Sequence, residues 1–247
     1  MIEILSLALL PVVVLVAFVL YKDRKRPEPV GKLFGAFFMG LLSVFVVFMI
    51  APVIGQFVDI SSPTIMGQIN CAFWGAAIPE EMAKLLMLWI VLRKNRYFDE
   101  HFDGIVYAVM VGLGFAAFEN LLYLINEPNW VGIGLARAFM AVPAHYAFAV
   151  FMGYFYSLAH MSGKYINYVW AFVVPMLLHG IYDMLLMVSG VVPDTLGGLL
   201  SFMCIVLCVK MHNVAVERIN MHLKIDDKCR MNEDEKSNNI ADDDVSV

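Results

Sequence analysis

Seven apolar stretches, most of them close to the 20 or so residues that a transmembrane helix needs, dominate this chain of 247 residues. Hydrophobic residues make up 61% of it and charged residues 16%, whereas a soluble domain has roughly 45–50% and about 25%. The sequence therefore predicts an all-α, polytopic membrane bundle. The predicted spans are 2–21, 33–54, 65–92, 104–126, 134–159, 168–189 and 194–211.

Basic residues predict how these spans are oriented. Fifteen of the 17 Lys and Arg lie in the connections after the first, third and fifth spans, at the end of the seventh span or beyond it. By the positive-inside rule these segments are cytoplasmic and the N-terminus is outside. The first span lacks a basic leader and a small-residue cleavage site, so it is predicted to be an uncleaved anchor. The predicted location is a bacterial plasma membrane.

The chain divides into four predicted segments. Two anchor spans with a basic loop come first, a polar-centred group of four spans follows, and a last span precedes an acidic cytoplasmic tail. The tail has too little apolar surface to fold alone and is predicted to be disordered. The four cysteines show no metal-type or disulfide spacing. The segments are 1–64, 65–190, 191–220 and 221–247.

Ionisable residues at similar depth in the central spans are the strongest functional signal. A charge at the bilayer centre costs roughly 2.5–3.5 kcal/mol, so such residues usually serve a function. Four helices present them to one layer, at the midplane or slightly outside it. They are Glu80, Glu81 and Lys84 on the third span, Glu119 on the fourth, Arg137 and His145 on the fifth, and His179 and Asp183 on the sixth.

Helical spacing predicts which of these groups meet on the third span. Glu80 and Lys84 are four residues apart and Glu81 and Lys84 are three apart, so the ammonium can reach either carboxylate. Pro79 removes a backbone donor directly before the pair, which frees a carbonyl and admits water there.

Two further pairs lie one helical turn apart. His179 and Asp183 are so placed that the carboxylate can orient the imidazole, or both can bind one metal. Glu119 precedes Tyr123 by one turn, so the phenol can donate to its carboxylate. Arg137 lies further towards the outer face and, with Lys84, balances part of the negative charge.

Four carboxylates against two cations leave an excess of negative charge in a low-dielectric layer. That excess is relieved by a protonated carboxylate or histidine, or by a bound cation. A carboxylate that gains and loses its proton near neutral pH suits a general base, and a bound cation suits a metallohydrolase; both activate water. A proton- or cation-coupled transporter is the alternative from another class, although the lack of an internal repeat counts against it.

Four short motifs in order on consecutive spans resemble a known family. They are Glu80-Glu81-Met-Ala-Lys84 as EExxK, Phe118-Glu119-Asn-Leu-Leu-Tyr123 as FExxxY, His145 with Gly153 eight residues on, and His179-Gly-Ile-Tyr-Asp183 as HxxxD.

This order resembles the PrsW family of intramembrane proteases, within the wider group of type II CAAX proteases and CPBP proteins. The resemblance implies peptide-bond hydrolysis in a membrane-protein substrate, such as a single-span anti-sigma factor cleaved in envelope stress. A catalytically silent scaffold is the other alternative, and no nucleic-acid partner is predicted. The implied catalytic residues are Glu80, Glu81, Glu119, His145, His179 and Asp183, supported by Lys84, Tyr123 and Arg137.

The resemblance leaves the presence of a metal open. Relatives in the wider group favour a glutamate-type mechanism, yet the family is often described as metalloproteases. If a metal is bound, zinc is the expected ion. The ligands would be Glu81, His145, His179 and Asp183.

Overall fold

The computed structural model describes the backbone of residues 2–125 and 127–245 and the side chains of residues 3–125 and 127–232. Regular secondary structure in these residues is entirely helical, which confirms the predicted fold class. Seven long helices follow one another along the chain. They are α1 (Ile2–Lys22), α2 (Val30–Ile54), α3 (65–92), α4 (His101–Ile125), α5 (Trp130–Ser162), α6 (Ile166–Ser189) and α7 (Asp194–Val245).

Each predicted span corresponds to one of these helices. Six of them are long and apolar enough to cross a membrane by length and composition. The exception is α3, which is as long as its neighbours but contains the three charged residues of the third span. Its apolar length and its contacts with α2, α4, α5 and α6 fit a seventh membrane helix whose charges are shielded by neighbouring helices.

Two helices contain a short π-helical segment near their polar residues. α3 consists of Ile65–Asn70, a π-helical segment Cys71–Ala77, and Ile78–Leu92. α5 has a π-helical segment at Arg137–Ala141. In each helix a proline is the second residue after the π segment, where the missing N–H and the ring disturb regular α-helical bonding. Glu80 and Glu81 directly follow Pro79 and His145 follows Pro143 by two residues, whereas Arg137 lies within the π segment of α5.

α4 is the central helix of the bundle. In its most apolar window 78% of the residues are buried, against 17% for α1 and 22% for α2. α4 packs against α1, α2, α3, α5 and α7. A polar side chain on α4 is therefore enclosed by protein, whereas α1 and α2 leave most of their apolar surface to the lipid.

Loops 23–29 and 93–100 lie together at one end of the bundle, called the basic face below. There α7 caps the start of α4, because the carboxylate of Asp226 accepts the backbone N–H of His101 at 2.8 Å and that of Phe102 at 2.9 Å. Arg26 donates to Glu100 at 3.0 Å across the two loops. These contacts fix the end of α4 that precedes its polar residues.

The predicted tail differs from the structure in its backbone. α7 continues as a helix to Val245, so residues 221–245 are not an irregular chain. Contacts of Asp226 and Arg230 with α4 and the loop before it extend the helix past the membrane segment. Beyond them Met, Lys and Glu are good helix formers. Side chains from residue 233 and the last two residues lie outside the described residues.

Candidate active site

Lys84 lies at the centre of the polar cluster. Its Nζ is 3.2 Å from Oε2 of Glu80 and 2.8 Å from Oε1 of Glu81, the two contacts that the spacing predicts. It is also 3.2 Å from Nδ1 of His145 on α5 and 4.0 Å from the centre of the Phe115 ring. An ammonium can only donate, so Nδ1 of His145 accepts and the ring carries its proton on Nε2.

Glu119 links α4 to α5. Nε2 of His145 donates to Oε2 of Glu119 at 2.9 Å, and Nη2 of Arg137 donates to the same oxygen at 2.6 Å. The guanidinium of Arg137 stacks 4.0 Å from the centre of the Tyr123 ring. Glu119 is therefore paired with a cation and with a neutral imidazole at once.

His179 is held between carboxylates. Its Nδ1 is 2.8 Å from Oε1 of Glu81, while its Nε2 is 3.2 Å from Oδ2 of Asp183 and 3.8 Å from Oε2 of Glu80. The ring stacks on Phe148, with 4.8 Å between the ring centres. With a carboxylate at each nitrogen, the imidazole is best satisfied when it carries both protons.

The structure brings all nine predicted site residues into one connected cluster. Four helices contribute, and each of the nine residues contacts at least one other of them. Their catalytic roles remain a prediction. The residues are Glu80, Glu81, Lys84, Glu119, Tyr123, Arg137, His145, His179 and Asp183.

The two adjacent glutamates have different surroundings. Glu80 lines a cavity of about 260 Å³ between α5 and α6, the α5–α6 cavity, together with Glu119, His145, His179 and Asp183. Glu81 is fully buried behind Glu80, where Lys84 and His179 hold one of its oxygens. Of the pair, Glu80 is the one open to a ligand.

Among the residues whose side chains are described, three are close enough to hold a metal ion. Ligand atoms of Glu80, His145 and His179 lie within 4.8 Å of one another. Glu80 takes the place predicted for Glu81, because Oε1 of Glu81 is already bound by Lys84 and by Nδ1 of His179. The set expected from the sequence is Glu81, His145, His179 and Asp183.

Asn120 is a site residue that the motifs do not reveal. Its side chain is 2% exposed, accepts from Nε of Arg137 at 2.6 Å and donates to the backbone oxygen of Ala8 on α1 at 3.3 Å. The signal in the sequence is an amide directly after Glu119 in an apolar span. Asn120 thereby holds Arg137 in the orientation that pairs it with Glu119.

The sequence matches known proteins over most of its length. A family model described as PrsW family intramembrane metalloprotease matches residues 28–211. Protease PrsW of Geobacillus kaustophilus is 36% identical over 189 residues, which cover 76% of this chain and 81% of that protein. Protease PrsW of Bacillus subtilis is 35% identical over 189 residues, covering 75% and 84%.

A more distant relative gives the same result. Protease PrsW of Clostridioides difficile is 32% identical over 193 residues, which cover 76% of this chain and 80% of that protein. No solved structure matches the chain. The residues matched by the family model include the whole polar cluster and six of the seven helices at least in part. This multi-pass bacterial membrane protein therefore belongs to the PrsW family of intramembrane metalloproteases.

Proposed function

We propose that this protein is an intramembrane endopeptidase in which Glu80 activates water for attack on a peptide carbonyl. Family membership supports a protease whose substrate is a membrane protein in the bilayer. The choice of base depends on one observation: Glu80 lines the α5–α6 cavity, whereas Glu81 is fully buried behind it. A general base must reach the water that it deprotonates.

The proposed reaction needs only groups of this chain and water. Glu80 takes a proton from water as the water oxygen bonds to the carbonyl carbon, which gives a tetrahedral oxyanion. The C–N bond then breaks, and Glu80 returns the proton to the leaving amine. The products are a carboxylic acid and an amine, which become a carboxylate and an ammonium when the acid proton passes to the amine, and Glu80 ends in its starting form.

His179 is the proposed donor to the oxyanion. It lines the same cavity as Glu80, and both of its ring nitrogens face carboxylates, which favour the doubly protonated ring. Asp183 holds Nε2 of His179 at 3.2 Å, and in the proposed reaction this N–H turns from Asp183 to the oxyanion. His145 and Arg137 position Glu119. Lys84 pairs with both Glu80 and Glu81 and so offsets the repulsion between their negative charges.

A metal ion does not fit this arrangement while Lys84 holds its place. If Nε2 of His145 bound a metal, the ring proton would move to Nδ1, which lies 3.2 Å from an ammonium that cannot accept it. The same ammonium is 3.2 Å from Glu80, the carboxylate ligand of the candidate set, and would repel a dication there. This geometry supports the glutamate-type mechanism.

The proposed substrate is a single-span membrane protein cleaved near the extracytoplasmic side. Glu119 and Asp183 lie towards the ends of α4 and α6 that are remote from the basic face. With the basic face in the cytoplasm, as the charge pattern predicts, this supports entry from the extracytoplasmic half. The resemblance adds an anti-sigma factor as the expected substrate class.

Two isosteric substitutions test the proposed base. Purified protein in lipid discs is offered single-span substrates, and cleavage is followed by mass spectrometry. Glu80→Gln should lower the rate by about 10²–10⁴-fold, the usual contribution of a general base. Glu81→Gln keeps an oxygen that can accept from Lys84 and should lower the cleavage rate less than Glu80→Gln does. Glu3→Gln, an exposed glutamate on α1, is the matched control.

The outcome that removes the proposal is unchanged cleavage by a folded Glu80→Gln variant. Equal losses in the two variants would remove the distinction between Glu80 and Glu81. Ion flux in proteoliposomes without peptide hydrolysis would favour the transporter alternative instead.

A further inference from the structure

Glu80 and Glu119 stand between two cavities, not at the end of one. The α5–α6 cavity lies on one side of them. On the other side is a second cavity of about 510 Å³ between α2 and α4, the α2–α4 groove. Both are lined by Glu80, Glu119 and Tyr123. A chain lying across Glu80 could therefore continue on both sides of it.

The α2–α4 groove lies beyond a level at which the backbones of α2 and α4 touch. At Gly40 an added Cβ would overlap the backbone oxygen of Val111, and at Gly114 it would overlap that of Phe37. Small residues allow this backbone contact. Further along both helices, towards the end remote from the basic face, large side chains replace the glycines: Val44 and Val47 pack in one cluster with Phe115.

The groove has an apolar wall and acidic groups. Val44, Val47 and Phe48 lie on one face of α2, at the helical spacings i, i+3 and i+4. Phe48 is 50% exposed, so the groove opens at the lipid-facing surface of the bundle. Glu127 lies at its outer end, beyond Tyr123 on α4.

The acidic groups decide between lipid and peptide as the occupant. An acyl chain offers no hydrogen-bond donor and would leave the carboxylates of Glu80, Glu119 and Glu127 facing hydrocarbon, which is costly. An extended peptide offers backbone N–H groups to those oxygens and side chains to the apolar wall. The groove is therefore better matched to an unwound peptide segment.

We propose that the substrate enters between α2 and α4 as an extended segment and crosses Glu80 into the α5–α6 cavity. A bulky apolar side chain beside the scissile bond lies against Val44, Val47 and Phe48, which set the specificity on that side. This inference rests on the proposed peptidase function, and it adds where the substrate lies and which residues select it.

Photocross-linking tests the position of the substrate. A p-benzoylphenylalanine replaces Val47 in the full-length Glu80→Gln protein, and a single-span substrate is added in lipid discs. Met49, 74% exposed on the lipid side of α2, receives the same residue as the matched control. A cross-link from position 47 to the segment around the scissile bond is expected, with none above background from position 49.

Filling the groove tests its role in selection. Val47→Trp in the otherwise unaltered protein should lower kcat/KM at least about tenfold for a substrate with Leu or Phe beside the scissile bond. A substrate with Gly or Ala there should lose less, and Met49→Trp should cleave both as the native protein does. If Val47→Trp fails to fold, Phe48→Ala serves instead, because it removes the wall and should weaken the preference for Leu or Phe.

The result that overturns this inference is an equal cross-link from positions 47 and 49, or unchanged selectivity in the folded groove variants. If native protein cleaves and Glu80→Gln does not, such a result rejects the groove alone and leaves the peptidase function intact. If native protein does not cleave, or Glu80→Gln cleaves equally well, the peptidase function itself fails.

Discussion

Lys84 and His145 are 61 residues apart in sequence, yet Nζ of Lys84 lies 3.2 Å from Nδ1 of His145. This contact makes the imidazole a neutral donor through Nε2, which points at Glu119 at 2.9 Å. The same ammonium binds both adjacent glutamates. Lys84 therefore determines which side chains donate and which accept in the contacts that join α3, α4 and α5 at the centre of the site.

Replacing Lys84 should destabilise the fold as well as the site. Lys84→Met leaves Glu80 and Glu81 buried without their cation, and removal of one partner from a buried ion pair costs about 3–5 kcal/mol. Thermal unfolding of the protein in detergent, followed by loss of helix signal, measures the change. Lys94→Met, an exposed lysine just after α3, should unfold like the native protein. An unaltered unfolding temperature for Lys84→Met would contradict the central role of Lys84.

Chelation should leave the cleavage rate unchanged. The ammonium between Glu80 and His145 disfavours a metal ion on the candidate ligands. The proposed steps use only side chains of this protein and water, so they need no metal. Peptidase activity is measured after prolonged treatment with a zinc chelator, together with elemental analysis of the active fraction. Activity that disappears and returns with stoichiometric zinc would mean that Lys84 moves away and that the metal mechanism operates.

Removing the cap on α4 should lower the stability of the protein more than removing a neighbouring surface ion pair does. Asp226→Ala removes the carboxylate that accepts two backbone N–H groups at the start of α4, which should cost about 1–2 kcal/mol. Asp227→Ala removes the exposed contact with Lys25 and should cost less than about 1 kcal/mol. Hydrogen exchange at residues 101–106 reports the effect locally. Equal protection in both variants would show that the cap does not hold this helix end.

The stability of the basic face should fall as the pH rises towards neutrality. Burial raises the pKa of Asp23 from 3.8 to about 7. The folded protein therefore holds this proton more tightly than the unfolded chain, so the contribution of Asp23 to stability declines as the pH rises from about 4 to about 7. Asp23→Asn keeps an acceptor for the backbone N–H of Glu28 and should flatten this decline.

The comparison that measures it is the unfolding temperature at about pH 5 and about pH 8 for native protein and for Asp23→Asn. Asp59→Asn, an exposed loop residue at the other end of the bundle, is the charge-matched control. A variant that shows the same pH dependence as native protein would exclude Asp23 as the titrating group.

The sequence predicts the helices and the meeting of the polar groups because both depend on local patterns. Apolar length gives the helices, and depth along each span places Glu119, His145 and His179 in one layer. Which of Glu80 and Glu81 faces the cavity is not predictable in this way. Neighbouring residues on a helix point about 100° apart, and the π segment Cys71–Ala77 shifts the helical phase just before the pair.

Contacts between distant segments explain the remaining differences. Composition predicts a disordered tail, but Asp226 is bound by the start of α4, and such a pairing leaves no periodic trace in either segment. The metal-ligand set also depends on Lys84, whose position among the glutamates and His145 becomes visible only when α3 and α5 are packed together.

The bond from Asn120 to the backbone of Ala8 joins the first helix to the proposed catalytic site. Because Asn120 also accepts from Nε of Arg137, α1 supports the orientation of the guanidinium in addition to anchoring the chain in the bilayer. Because the acceptor is a backbone oxygen, the contact depends on how closely α1 packs at Ala8, which is fully buried, and an anchor with a large side chain at that position would still insert but would weaken the support of Arg137. The side chains that this segment can carry are thus limited by its contact with Asn120 as well as by membrane insertion.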